Sequence, residues 1–164
     1  MHFDGEQTVN VPLATAWAFL MDPPKVAACA PGFQSMETLA PDHFKATIGV
    51  GVGAVKATFT LDVSLVDVHA PDHAGMTARG QAAGSAVEMR SAMDLSAASE
   101  TVTTMRWTAD VNVMGRIASV GARLLEGTAH KLTDRFFDCL RKTLEGSASS
   151  SEPAAAPTTT GEAP

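Results

Sequence analysis

Residues 116–144 read RIASVGARLLEGTAHKLTDRFFDCLRKTL, and their apolar positions recur at helical spacing. Ile117, Val120, Gly121, Leu124, Leu125, Thr128, Leu132, Phe136, Cys139 and Leu140 fall within one broad stripe. Arg123, Glu126, His130, Lys131, Asp134, Asp138 and Arg141 take the opposite face, and Gly146 stands where the helix can end. At 1.5 Å per residue such a helix is roughly 43 Å long, enough to cross a small sheet. A stripe of that length needs an apolar surface to lie on, and the residues before it supply one.

From Gln34 to Val113 the period changes to two, so one face can be traced from strand to strand. Phe44, Ala46, Ile48 and Val50 point one way, His43, Lys45 and Thr47 the other. In the clearest strand Val55, Ala57, Phe59, Leu61, Val63 and Leu65 alternate with Lys56, Thr58, Thr60, Asp62 and Ser64. Met76 and Ala78 continue the apolar face, followed by Val87, Met89, Ser91, Met93 and Leu95, then by Met105, Trp107, Ala109, Val111 and Val113. Turns such as Ala70-Pro71-Asp72 and Gly84-Ser85 join these into a meander of about six strands. Ahead of it, residues 2–10 alternate as a further strand. Pro12 can open a helix carrying Leu13, Ala16, Trp17 and Leu20, and Asp22-Pro23 can start a second short one running to Cys29. The expected fold is α+β: a curved antiparallel sheet of about seven strands, two short helices after the first strand, and the long C-terminal helix gripped by the sheet.

Composition narrows the function. Twelve Lys plus Arg stand against eighteen Asp plus Glu, a net charge of −6, which leaves no basic surface for nucleic acid. No apolar stretch approaches the roughly 20 residues of a membrane span, and the start MHFDGEQTVN lacks the form of a signal peptide, so a cytoplasmic location is expected. Cys29 and Cys139 fit a reducing compartment or at most one bridge. Residues 147–164, SASSSEPAAAPTTTGEAP, have no Val, Ile, Leu, Met or aromatic side chain. They are expected to form a disordered tail behind one domain at 1–146.

Catalytic chemistry is sparse. The inner face offers Gln7, Ser91 and Glu37 as its chief polar groups. GVGVG at 49–53 leads from strand to strand with no GK[ST] after it, so it reads as a loop and not a phosphate cradle. His69 and His73 with Asp67 and Asp72 match no zinc spacing, and no metal site is expected. Cys29 has no neighbouring base, so neither cysteine reads as a nucleophile. The unusual feature is methionine: Met76, Met89, Met93 and Met105 occupy inner strand positions where β-branched residues are normally preferred. They fit either gap-filling in an ordinary core or the lining of an adaptable apolar cavity, and Gly121, Ala118, Thr128 and Ala129 beneath the helix would leave it room.

Three segments carry a resemblance: LMDPPKVAACAPGF at 20–33, FKATIGVGVGAVKATF at 44–59 and GRIASVGARLLEGTAHKLTDRFFDCL at 115–140. In this order they resemble the carbon monoxide dehydrogenase CoxG branch of the START-like, or SRPBCC, helix-grip domains. The resemblance implies a non-catalytic accessory protein of a molybdenum-containing, aerobic-type carbon monoxide dehydrogenase or related hydroxylase. It further implies a hydrophobic cavity between sheet and helix, and a link between enzyme and membrane or quinone pool. Some relatives carry a hydrophobic C-terminal segment after a linker; here only the linker-like part is present, so membrane contact is expected to be peripheral, at the inner face of the cytoplasmic membrane. No intrinsic cofactor is expected; the expected cargo is menaquinone, ubiquinone or a similar lipid.

The residues expected to line that cavity are Ile48, Val55, Phe59, Met76, Met89, Met93, Met105 and Trp107 from the sheet, with Gly121, Leu124 and Thr128 from the helix. Pro31, Gly32, Gly51 and Gly53 are expected at its mouth, where glycine permits loop motion. The competing functions are a ligand-free adaptor for dehydrogenase assembly and a cyclase or hydrolase. The enzyme would require Glu37, Gln7 or His43 to point into the cavity.

Overall fold

The strand alternation organises the whole domain. The computed structural model describes residues 1–146 with their side chains and carries the backbone on to 162; the segment 147–164, expected to be disordered, lies outside the fully described residues. The elements are β1 (His2–Val9), α1 (Leu13–Leu20), α2 (Pro23–Ala27), β2 (Phe33–Ala40), β3 (His43–Val52), β4 (Val55–His69), β5 (His73–Ala82), β6 (Ser85–Ser99) and β7 (Val102–Gly115). A 3-10 turn (Arg116–Val120) and α3 (Ala122–Glu162) follow. The seven strands form one antiparallel sheet in the order β1-β7-β6-β5-β4-β3-β2, so only the pairing of β1 with β7 departs from a simple meander.

The register places the expected apolar residues in continuous cross-strand rows. Ile48 faces Phe59, Val63 faces Ala78, Ala78 faces Met89, and Met89 faces Val111. Because side chains alternate with period two, the same register puts the polar set on the outer face. Glu37, Lys45, Asp62, Arg79 and Glu88 form one such row, with signs that alternate from strand to strand. Glu37 is therefore on the outer face and not the inner one: β2 is irregular at Phe33/Ser35 and Thr38/Ala40, which resets its alternation.

The C-terminal helix differs from expectation at both ends. It begins at Ala122, not 116, because Gly121 adopts φ +99°, a conformation no interior helical residue takes, and this separates α3 from the 3-10 turn. A Cβ at Gly121 would meet nothing within 4 Å, so the glycine serves the backbone and not close packing. At the other end the helix continues through Gly146. Pro12 stands at the cap of α1 with extended backbone, one residue ahead of the helix, and α2 ends at Ala27, two residues short of Cys29.

The best-packed part of the interior lies where α1 and the later turns of α3 meet β1, β6 and β7. Val9, Val11, Ala16, Met105, Leu140 and Leu144 are all at most 2% exposed there. Thr103, fully buried among them, donates its hydroxyl to the Val11 carbonyl at 2.8 Å. Cys29 and Cys139 form a disulfide across 110 residues of sequence, joining the segment after α2 to α3. Neither cysteine is therefore a free buried thiol; the pair is the single bridge the composition allowed.

A divided apolar cavity as the candidate functional site

Beside that packed region the space between sheet and helix holds two hollows, or lobes. Lobe one, about 200 Å³, lies under the first turns of α3, between Leu125, Thr128 and Leu132 above and the inner rows of β3 to β7 below. Lobe two, about 170 Å³, lies further along the sheet, roofed by Phe136 and walled by Trp17, Leu20, Pro23 and Val26 of the two short helices. Its floor includes Phe44, Met76, Ser91 and Met93.

Of the residues expected at the cavity, Ile48, Phe59, Met89 and Thr128 line lobe one, and Met76 and Met93 line lobe two. Five lie elsewhere, each for a definable reason. Val55 pairs with Val52 at the end of the β3–β4 hairpin, beyond the lobe. Met105 is completely buried in the packed core beside Leu140. Trp107 stacks on Phe137 with ring centroids 5.4 Å apart and covers Gly5 of β1, where a Cβ would stand 2.9 Å from its ring. Its indole N–H is buried there without a hydrogen-bond partner. Gly121 is the helix break described above. Leu124 is 44% exposed and turns outward against Gly53.

The mouth residues separate likewise. Gly53, at φ +61°, lies against Leu124 at the end of lobe one where Val52 and Ile117 close it. Gly51 is exposed with open space at its α-carbon. Pro31-Gly32 belongs to a tied turn: the Gly49 amide donates to the Gly32 carbonyl at 2.9 Å, and Gly32 holds φ +79° against the Gly49 backbone.

No Asp, Glu, His, Lys or Arg side chain lines either lobe. His43 bonds Asp62 at 2.7 Å on the outer face, and Gln7 accepts a hydrogen bond from Arg141 at 2.8 Å. His73 bonds Asp94 at 2.7 Å. Among the described residues no three His, Cys, Asp or Glu side chains converge as a metal-binding group. On the outer surface the pKa of His2 is raised by its hydrogen bond to Asp110 and by the nearby charges of Asp110 and Asp4. What the lobes offer is removal of apolar surface from water.

Sequence reasoning missed the contribution of α1 and α2 to lobe two. Trp17 and Leu20 were legible as an apolar helix face, but nothing in that spacing says which part of the sheet the face covers.

A curved seven-stranded antiparallel sheet holding a long C-terminal helix, with a hollow between them, defines a helix-grip protein of the START-like class. The Zhui aromatase/cyclase of Streptomyces sp. R1128 has the same fold, at a TM-score of 0.65 and 17% identity over 88% of this chain and 93% of its own. So does a START superfamily protein of Mycobacterium smegmatis, at 0.67 and 12% over 88% and 97%. A conserved protein of Geobacillus kaustophilus is more similar, with a TM-score of 0.84 and 26% identity over 90% of this chain and 97% of its own. Residues 5–145 match the carbon monoxide dehydrogenase CoxG family, and the chain belongs to that family. No match was found among curated protein sequences.

Proposed function

We propose that this protein is a non-catalytic accessory protein of a molybdenum-containing carbon monoxide dehydrogenase or related hydroxylase, carrying a hydrophobic ligand in the hollow under α3. The ligand class is a quinone, menaquinone or ubiquinone, or a comparable lipid, and the carrier links the enzyme to the membrane or the quinone pool. The observation that carries this reading is the lining: both lobes are apolar apart from Thr128 in one and Ser91 in the other, with no titratable side chain in either. General acid–base catalysis needs such a group within hydrogen-bond reach of its proton, whereas apolar burial gains about 25 cal/mol per Å² without one. Family membership supports the enzyme partner. Among the described residues no helix is long and apolar enough to cross a membrane, so membrane contact in this reading is peripheral, at the cytoplasmic face. Leu124, exposed beside Gly53 at the end of lobe one, is placed to make it.

One observation favours the ligand-free adaptor: ligand pockets commonly measure about 300–1,000 Å³, and each lobe alone is smaller. Native mass spectrometry of protein purified from its host, followed by organic extraction, separates the two. A stoichiometric quinone or lipid supports the carrier. Protein that arrives empty, binds no added quinone and still retains a dehydrogenase in a pull-down overturns it in favour of the adaptor.

A further inference from the structure

The two ends of the sheet are built differently. At one end β2 is broken by irregularities at Phe33/Ser35 and Thr38/Ala40, the kind of bulging that blunts an edge against further pairing. At the other end β1 runs from His2 to Val9 against β7 with no shift of register and no proline. Met1 and Val111 exchange both of their backbone hydrogen bonds, at 2.7 and 2.8 Å. In an antiparallel ladder such pairs alternate with pairs that exchange none, so Phe3, Gly5, Gln7 and Val9 bond inward to β7. The amides and carbonyls of His2, Asp4, Glu6 and Thr8 therefore point away from the sheet, and all of these residues are exposed. Among the described residues no backbone group takes them. Just past the strand, the amide of Asn10 in the same series is taken by the Glu145 carboxylate of α3 at 2.8 Å.

Carboxylates border this edge from two sides. Asp4 and Glu6 stand on the outer face of β1. On α3, exposed Asp134 and Asp138 share the face that carries His130, edge-on to Phe3, and Arg141, bonded to Gln7. The neighbouring cations are already engaged: Arg106 with Glu6 at 3.1 Å, Arg141 with Asp138 at 3.2 Å, and His2 with Asp4 and Asp110. A second copy of this chain, itself at net charge −6, would set Asp4 and Glu6 against the same carboxylates, and like charges across a strand pair are destabilising. A strand bearing cations gains where the second copy loses.

We infer that β1 is a docking edge for an extended segment of a partner protein, added as a further strand, with Lys or Arg at every second residue beside Asp4 and Glu6. The backbone bonds of His2, Asp4, Glu6 and Thr8 supply affinity, and the alternating cations supply the choice of partner. The inference stands apart from whatever the hollow under α3 carries.

The test adds to the full chain a blocked peptide that matches the eight residues of β1 in length and alternates Lys with Val, and follows amide hydrogen exchange residue by residue by NMR. At saturation the amides of Asp4, Glu6 and Thr8 are expected to slow about tenfold or more, while those of Gly5 and Gln7, already bonded to β7, change little. Glu6→Gln is expected to weaken the peptide about two- to fivefold at low salt, and about 1 M salt to remove that difference. Glu6→Pro deletes an amide that the β7 ladder does not use, so the fold is kept, and affinity is expected to fall about tenfold below that of Glu6→Gln. The same peptide with Glu in place of Lys is expected not to bind. Unchanged exchange at Asp4, Glu6 and Thr8 with about 1 mM peptide, or slowing confined to other residues, overturns the inference. Sedimentation of the protein alone that shows a dimer abolished by Glu6→Pro overturns it in favour of a second copy on this edge. Should Glu6→Pro fail to fold, the exchange pattern of the unaltered chain decides alone.

Discussion

Gly80→Ala tests whether lobe one is empty space. Gly80 lies on the inner face of β5, opposite Leu61 on one side and Val87 on the other. A Cβ built there would collide with Leu61 Cδ2, stand 2.8 Å from Val87 Cγ1, and touch Phe59 Cδ1 at 3.4 Å. All three neighbours line lobe one. In a filled core, an added methyl forces off-rotamer side chains at a cost of about 1–3 kcal/mol. Here Leu61 Cδ2 is the end of a flexible side chain, Val87 Cγ1 belongs to a stiffer β-branched one that must give by a few tenths of an ångström, and about 200 Å³ lies beside both to receive the displacement. Alanine also lowers the entropy of the unfolded chain, a gain of about 0.4–1 kcal/mol where the backbone tolerates it, and Gly80 is not among the positive-φ glycines. The two effects nearly cancel, so the expected change in stability is within about 1 kcal/mol, a shift in Tm of no more than about 4 °C for a domain of this size. Affinity for an apolar chain, in contrast, should fall about fourfold for each methylene the narrowed lobe no longer admits. Gly32→Ala is the control. Its Cβ would meet the Gly49 backbone, which cannot yield, at φ +79°, and left-handed strain plus overpacking is expected to cost about 2–5 kcal/mol. A Gly80→Ala protein that loses as much stability as Gly32→Ala, or that binds long alcohols unchanged, refutes the void.

The remaining predictions concern what holds the rest of the molecule. Leu140→Ala removes a completely buried side chain from the packed core, and denaturant melts should show a loss of about 2–5 kcal/mol. Thr103→Val leaves the Val11 carbonyl without its donor in a fully buried setting, with an expected cost of about 1–3 kcal/mol; a neutral substitution would mean that another donor replaces it. Cys139→Ala opens a loop spanning a sequence separation of 110, for which loop-closure entropy sets an upper expectation of about 5 kcal/mol and typical disulfides deliver about 2–4 kcal/mol, seen only when wild-type protein is compared under non-reducing conditions. His2 should titrate above its ordinary 6.5 in NMR, because Asp110 stabilises its charged form. Its contribution is thus present below the unfolded pKa and lost as pH rises through the folded one, and Asp110→Asn should lower the titration.

The sheet was legible because its signal is local and redundant. Five strands in a row alternate cleanly, a slip of one residue in any of them would expose an apolar row, and the register puts Phe44 to Val113 on the face their alternation assigned. Glu37 was misassigned because two irregularities in β2 break the parity on which alternation depends. Gly121 looked helical because a glycine in an apolar stripe carries no mark of its φ, and the break at +99° is visible only in three dimensions. The disulfide was equally invisible: spacing says nothing about whether residues 110 apart in sequence come to lie side by side. For the cavity, alternation decides which side chains face inward, but not which inward side chains touch one another. Met89 and Met105 therefore read alike, although one lines a void and the other is sealed against Leu140.

That last contrast follows from how α3 is held. Its later turns are tied from several directions. The disulfide binds Cys139 to Cys29, Arg141 donates to Gln7 of β1, the Glu145 carboxylate accepts from the Asn10 amide at 2.8 Å, and Phe137, Leu140 and Leu144 fill the core. Its first turns face the sheet over lobe one chiefly through apolar side chains, with the His130 ring edge-on to Phe3 of β1, and they follow a break at Gly121. The 3-10 turn before it is anchored by the buried Ile117 amide, which donates to Ser85 Oγ at 3.0 Å. Apolar burial is non-directional, so displacing the first turns over the lobe would cost little specific bonding, whereas displacing the later turns would break hydrogen bonds and a covalent link. The same sequence thereby places its covalent and hydrogen-bonded ties at the later turns of one helix and its apolar void under the first.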